Sequence, residues 1–266
     1  MSYLLSKHKR KSTGCIQKIT KESAGWSYVE FEVYRLEPKQ ILRFDSKSQE
    51  LCVVLISGNV NFFCEDESWN DVGERVSPFD KIPPISLFVG QEQEGSIEAL
   101  TKVEVAICRA PATTKRKARL ISSEELKYTT RGTGTNKRSI CNILFGDDDA
   151  DSLLIVEVLT PGGSWSSYPP HKHDTNNGEF ESALEEVYYH RLNPEQGFVF
   201  QRVYTDSRDI DETMCVHNRD AVIVPKGYHP VGVPHGYESY YLNVMAGPER
   251  RWVFNNDPDH EWILKE

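Results

Sequence analysis

Residues 184–206, LEEVYYHRLNPEQGFVFQRVYTD, read as two strands separated by a turn. Val187, Tyr188, Tyr189, Phe198, Val199 and Phe200 belong to the β-branched and aromatic classes that suit a pleated, half-buried surface. Pro194 and Gly197 punctuate the interval between the two runs. The same texture recurs outward in both directions. Upstream it occupies residues 26–34, 51–56, 59–63 and 103–108; it returns at 152–159, 221–224 and 239–245. Long helical patterns are scarce. The best one is 122–128, with Ser122 or Ser123 as the N-cap before Glu124 and Glu125. Many short strands at close spacing predict an all-β sandwich or barrel.

The 266 residues suffice for two domains with real cores. A basic stretch (Lys115, Arg116, Lys117, Arg119) followed by a Gly/Thr-rich segment at 129–135 reads as a solvated connection. The expected organisation is therefore an N-terminal β half over 1–112, a connection over 113–138 and a C-terminal β half over 139–266. The halves share a strand-turn rhythm, which is weak support for an internal duplication.

Composition excludes several classes. With 31 basic and 40 acidic side chains the formal charge is −9, a field that repels a phosphate backbone, so no nucleic-acid partner is expected. No run approaches the ~20 apolar residues that cross a bilayer, so no membrane association is expected. The N-terminus has a brief apolar start before a basic cluster, the reverse of an export signal. Six scattered cysteines without a CxxC pair read as reduced thiols, and a cytoplasmic location is expected.

Chemistry concentrates in the C-terminal half. Pro169-Pro170-His171-Lys172-His173-Asp174 contains an HxH, whose period of two turns both imidazoles to one face of a strand. Paired neutral imidazoles suit a divalent transition metal. On the following strand Glu186, Tyr188 and His190 share a face by alternation. Farther on, Val224-Pro225-Lys226-Gly227-Tyr228-His229-Pro230 sets an imidazole after a constrained turn. His171, His173, Glu186 and His229 are the expected ligands of one divalent ion, Zn or Mn foremost, with Fe, Co and Ni also compatible. Glu185 and Glu181 stay as rivals of Glu186, and His235 is set aside in favour of His229. His190 reads as a satisfied barrel histidine or a donor behind the ligands.

The HxH, the glutamate on the next strand and Pro225-x-Gly227-x-His229 resemble the two cupin motifs. The segments PPHKHD, LEEVYYHRLNPEQGFVFQRVYTD, VPKGYHPV, YYLNVMAG and NDPDHEW are similar to those of the 5-deoxy-glucuronate isomerase family. Arg75-Val76-Ser77-Pro78-Phe79 and Gly132-x-Gly134-x-x-x-Arg138 extend the likeness upstream. That family is in turn similar to the 4-deoxy-threo-hexosulose-uronate ketol-isomerases. The resemblance implies a double cupin with one metal in the C-terminal barrel. The N-terminal half, with no histidine near Leu87-Phe88-Val89-Gly90-Gln91-Glu92, is expected to be a structural barrel and an oligomer surface, in a homodimer or larger homo-oligomer. The implied reaction is conversion of 5-deoxy-glucuronate to 5-dehydro-2-deoxy-gluconate in inositol degradation. A sugar-acid substrate calls for a cation, and Arg202, a charge inside an apolar strand, is the expected carboxylate partner. Lys172, pointing away from the histidines by alternation, carries less weight. Tyr188 and Asn243 are further substrate contacts, and Glu186 and Tyr241 are the expected proton-transfer groups. Two other readings accompany this one, an Fe(II) cupin dioxygenase and a sugar-acid-binding cupin without turnover.

Overall fold

The computed structural model describes residues 2–146 and 150–265. Its chain is almost entirely antiparallel β-structure, arranged as two compact units.

One unit comprises residues 8–128 and 141–156. Its larger sheet runs in the order Arg119–Ile121, Ser86–Val89, Gln49–Ser57, Val103–Pro111, Glu30–Leu36, Gly14–Ile19. Its smaller sheet runs Ile41–Asp45, Glu94–Ala99, Val60–Cys64, Glu67–Val72. Alternation turns Leu51, Val53 and Leu55 of one strand, and Val103, Val105 and Ile107 of the next, toward Phe44, Val60, Phe62 and Ile97 of the smaller sheet. Together they form a continuous buried cluster. No histidine lies in this cluster, and apolar burial is what holds the unit together.

The other unit comprises residues 1–7, 129–140 and 157–266. The seven-stranded sheet, most of whose residues lie in this unit, has the order Leu5–Ser6, Ala221–Val224, Glu185–Asn193, Glu238–Ala246, Leu154–Thr160, Arg138–Leu144, Tyr128–Arg131. A second sheet runs Trp165–Ser166, Val231–Gly232, Phe198–Tyr204, Asp211–His217, and a short pair joins His171–Lys172 to Asn255–Asn256. The long central strands Glu185–Asn193 and Glu238–Ala246 are buried along nearly their whole length.

The compact units interleave along the chain, where the sequence reading divides it linearly at 112 and 138. Residues 1–7 belong with the C-terminal strands because Leu5 pairs with Val222 and Ser6 with Ala221, and because the Ile223 amide donates to the Leu4 carbonyl. The supposed connection is built into sheets as well: Arg119–Ile121 pairs with Ser86–Val89, and Tyr128–Arg131 ends the seven-stranded sheet. The helix expected over 122–128 is a single 3-10 turn, Ser123–Glu125, before the chain extends again. Its start signal is real, since the Ser122 amide donates to the Glu125 side chain. Without a repeating apolar face there was nothing to propagate it.

Candidate metal centre

The strand Glu185–Asn193 supplies the floor of the site. Its residues Glu186, Tyr188 and His190 face inward and are buried. Glu185 falls on the other face by alternation. Register places Asn243 of the neighbouring strand opposite Tyr188, and Tyr241 opposite His190. Across from them, Gln201 of Phe198–Tyr204 meets His190, Nε2 to Oε1, at 2.9 Å. Burial draws the His190 imidazole down to about 4, so it is neutral.

Two loops bring the histidines over this floor. His171 enters through the short strand His171–Lys172, where it pairs with Asn256. Its ring lies 4.6 Å from that of Phe254. His173 follows outside the strand, and its carbonyl accepts the Leu184 amide. His229 comes from the turn after Gly227, which has φ +92°. Tyr204 and Tyr228 exchange two backbone hydrogen bonds there, pinning the turn to the sheet. The His229 Nδ1–H donates to the Gly227 carbonyl at 2.8 Å, which leaves Nε2 with a free lone pair. Asp174 ties the two loops together. One of its oxygens accepts the Gly227 amide at 2.9 Å, the other the Lys172 ammonium at 3.0 Å.

The result is a convergence of ligand atoms. His171, His173 and His229 each offer a nitrogen within 4.8 Å of the others, and all three are buried. Glu186 Oε2 stands 3.0 Å from His173 Nε2 and 3.1 Å from His229 Nε2. These pairs are close but lack hydrogen-bond alignment: His173 Nε2, His229 Nε2 and Glu186 Oε2 are buried with no hydrogen-bond partner. Buried polar atoms without partners are costly. Ligands ~2.1 Å from one ion stand roughly 3 Å apart or a little more, which is the spacing of Glu186 from His173 and His229, while the three imidazole nitrogens lie within 4.8 Å of one another. The donor set thus fits a divalent metal on its own geometry. Burial lowers the His171 and His229 imidazoles below their ordinary value, which favours the neutral form of these two, whereas for His173 the adjacent Glu186 carboxylate outweighs burial and raises it. Burial opposes ionisation of Glu186 too, but its electrostatic interaction with the His229 and His173 side chains and the hydrogen bond from Asn243 outweigh it and hold its carboxyl at about 2.

The remaining expected site residues separate into two groups. Tyr188 and Tyr241 lie beside the cluster, ring centroids 4.8 Å apart, and Tyr188 is 5.7 Å from His229. Tyr188 also bonds Ser167 at 2.9 Å. Asn243 donates to Glu186 and so orients the carboxylate instead of presenting its amide to a substrate. Arg202 is not brought to the site. It alternates outward from Gln201, and its guanidinium makes a two-pronged pair with Asp211 at 2.7 and 2.8 Å. Its mid-strand charge is thus satisfied by the partner strand, the bland alternative to substrate binding. Lys172 is also taken up, by Asp174, Glu181 and Asp206. Glu181 accepts the Asp174 and Thr175 amides and the Asn255 side chain, so it braces the loop. His235 is exposed on a loop. Sequence reasoning missed Trp252 and Phe254, whose rings lie edge-on and tilted to that of His171 at 6.3 and 4.6 Å, and Arg138, which donates to the Tyr168 carbonyl on the segment leading to His171. Only the Gly132-x-Gly134-x-x-x-Arg138 pattern hinted at the last.

Among the described residues no helix is long and apolar enough to cross a membrane. The chain is 53% identical over 263 residues to 5-deoxy-glucuronate isomerase of Geobacillus thermodenitrificans, covering 99% of this chain and 96% of that one. It is 47% identical over 270 residues to the enzyme of the same name from Bacillus subtilis strain 168, covering both chains completely. Among solved structures it superposes on an IolB-like protein of Salmonella typhimurium with a TM-score of 0.96 at 47% identity, over 98% of this chain and 99% of the other. An oxalate decarboxylase of Lactobacillus farciminis aligns with a TM-score of 0.67 at 12% identity, over 100% of this chain and 91% of that one. This distant likeness is one of fold, and the fold is a double cupin. The model of the KduI/IolB family matches residues 4–263, and the chain belongs to that family.

Proposed function

We propose that this protein is a metal-dependent aldose–ketose isomerase that converts 5-deoxy-glucuronate to 5-dehydro-2-deoxy-gluconate in inositol degradation. The observation that carries the reading is the buried convergence of His171, His173, His229 and Glu186, with its unpartnered lone pairs. It occurs in a chain about half identical, end to end, to proteins named for this reaction. These four residues are the proposed ligands. Three imidazoles and one carboxylate suit Zn or Mn foremost. A divalent ion held there would supply Lewis-acid polarisation of the substrate's C1 carbonyl and C2 hydroxyl oxygens.

The protein's own groups then move the protons. The Glu186 carboxylate, oriented by Asn243 through one oxygen, takes the C2 proton on the other when that oxygen is not engaged as a ligand, giving an enediol, and the proton returns at C1. The hydroxyl proton passes from O2 to O1, so the product is an isomer and no oxidant is consumed. In this reading Tyr241, whose ring lies against that of Tyr188, carries that second proton. Burial pushes its phenol above the ordinary value, so it stays protonated at neutral pH. Tyr188, anchored by Ser167, forms the wall beside it. A cytoplasmic setting agrees with six cysteines that are all free thiols. A homodimer or larger homo-oligomer agrees with the open edge that Glu67–Val72 leaves in its sheet.

The test is NMR of 5-deoxy-glucuronate with the purified protein in D2O, repeated after chelation and with His171→Ala. Turnover by the parent, lost in both other samples, with deuterium in the product, is the expected outcome. No turnover by metal-loaded parent would refute the isomerase reading, and turnover without deuterium would replace proton transfer by a hydride shift.

A further inference from the structure

A sugar acid has a carboxylate at the end remote from its reacting carbons, and neither Arg202 nor Lys172 is free to receive it. Arg138 is. It opens the strand Arg138–Leu144, lies partly buried, and reaches the carbonyl of Tyr168, three residues before His171 on the segment that carries that ligand into the site. Its hydrogen bonds go from Nη1 alone, to the carbonyls of Asn136 at 3.0 Å and Tyr168 at 3.5 Å. Among the described residues no carboxylate pairs with it. Nε and Nη2, the edge that a carboxylate grips two-pronged, are left open.

The loop that holds Arg138 is built for this. Gly132, at φ +77°, leaves the space that a Cβ would take from Arg138 Nη1, 3.0 Å away, and from the Asn136 carbonyl, 2.2 Å away. The turn Gly134–Asn136 then folds the Asn136 carbonyl onto the guanidinium. The Gly132-x-Gly134-x-x-x-Arg138 pattern is thereby explained as a cradle that aims one arginine. A second cation, Arg131, lies over the Trp252 ring at 5.6 Å, and Trp252 borders His171. Two guanidiniums beside the histidine cluster, in a chain of net charge −9, make a local field opposite to that of the whole molecule. Desolvating an arginine costs free energy unless an anion meets it.

We infer that Arg138 is the specificity-determining residue that grips the substrate's carboxylate through its Nε/Nη2 edge, with Arg131 drawing the anion in. This rests on the proposed sugar-acid reading of the same site. The experiment is calorimetric binding of 5-deoxy-glucuronate and its uncharged C6 amide to the metal-containing parent, Arg138→Gln and Arg138→Lys, with metal content and melting temperature measured alongside. The parent is expected to prefer the acid over the amide. In Arg138→Gln, affinity for the acid should fall about 30-fold or more with the amide barely changed. Arg138→Lys should recover only part of the loss, because an ammonium lacks the fork. Metal content should stay at the parent level. Equal affinity of the parent for acid and amide, or Arg138→Gln binding the acid as the parent does, would overturn the inference even if a variant proved unstable. Parent that binds the acid selectively but does not turn it over would sink the isomerase reading and leave the role of Arg138 standing.

Discussion

Replacing Gly227 by alanine would put a methyl carbon 2.4 Å from the Tyr204 carbonyl oxygen and 2.9 Å from its carbon. Both are backbone atoms, so no side chain can swing aside. The turn would have to retreat by at least about half an ångström, because real Cβ contacts under 3.0 Å essentially do not occur. The retreat would strain the two backbone hydrogen bonds between Tyr204 and Tyr228. These contribute ~1 kcal/mol each, and a non-glycine residue at φ +92° adds ~1–3 kcal/mol of strain. The expected loss of stability is about 2–5 kcal/mol. The site should suffer with it, since the Gly227 amide donates to Asp174 and its carbonyl accepts from His229. A ligand displaced by ~1 Å lowers turnover by roughly 100-fold. Urea denaturation, competition for Zn²⁺ against a chromophoric chelator and turnover by NMR would measure the three effects. A variant with the parent's urea midpoint and the parent's Zn²⁺ affinity would refute the claim that steric contact at Gly227 sets the position of His229.

Other outcomes follow from neighbouring contacts. Asp174→Ala releases the Gly227 amide and the Lys172 ammonium together, and Zn²⁺ affinity in the same competition should fall about 10–100-fold in a folded protein. The buried Glu50 carboxylate accepts the amides of Asp151, Ser152 and Leu153, each at 2.7 Å; Glu50→Ala strands all three, and urea unfolding should show a loss of about 3 kcal/mol or more. Burial opposes ionisation of Asp151, but the Thr113 and Thr114 amides and the Arg116 guanidinium outweigh it and bring its carboxyl down to about 2. A depressed carboxyl stabilises the fold above the ordinary value near ~4 and ceases to do so as pH falls through the folded one. The stability gap between parent and Asp151→Asn should therefore be about 2 kcal/mol at pH 6 and close steadily below pH 4; a gap that does not change with pH would contradict this account. Arg202→Ala removes an exposed pair contributing at most ~1 kcal/mol and should leave the substrate KM unchanged, whereas a raised KM would return Arg202 to the site.

Strand texture, turns and the ligand types were legible because they are local. The run from Glu185 to Asn193 alternates as its composition predicts, and Glu186, Tyr188 and His190 do share the inward face. His171 and His173, two residues apart, and His229, after its constrained turn, needed only short-range chemistry to be singled out. Charge at a distance was not legible in this way. Arg202 looked unpaired because Asp211, nine residues away, becomes its neighbour only when the two strands align in register. Lys172 looked available until Glu181 and Asp206 closed on it.

By itself, then, the sequence determined the all-β class, the family likeness and the residue types of the proposed metal ligands. The class and the candidate ligands depend on side-chain period and turn chemistry within a few residues, and the family likeness on segments that resemble those of known members. Tertiary structure alone decided which compact unit owns residues 1–7, which acid partners which base, and that Arg138 is held by the Asn136 and Tyr168 carbonyls with no carboxylate beside it among the described residues. Backbone edges and charges find their partners by position in space, and chain separation carries almost no record of that.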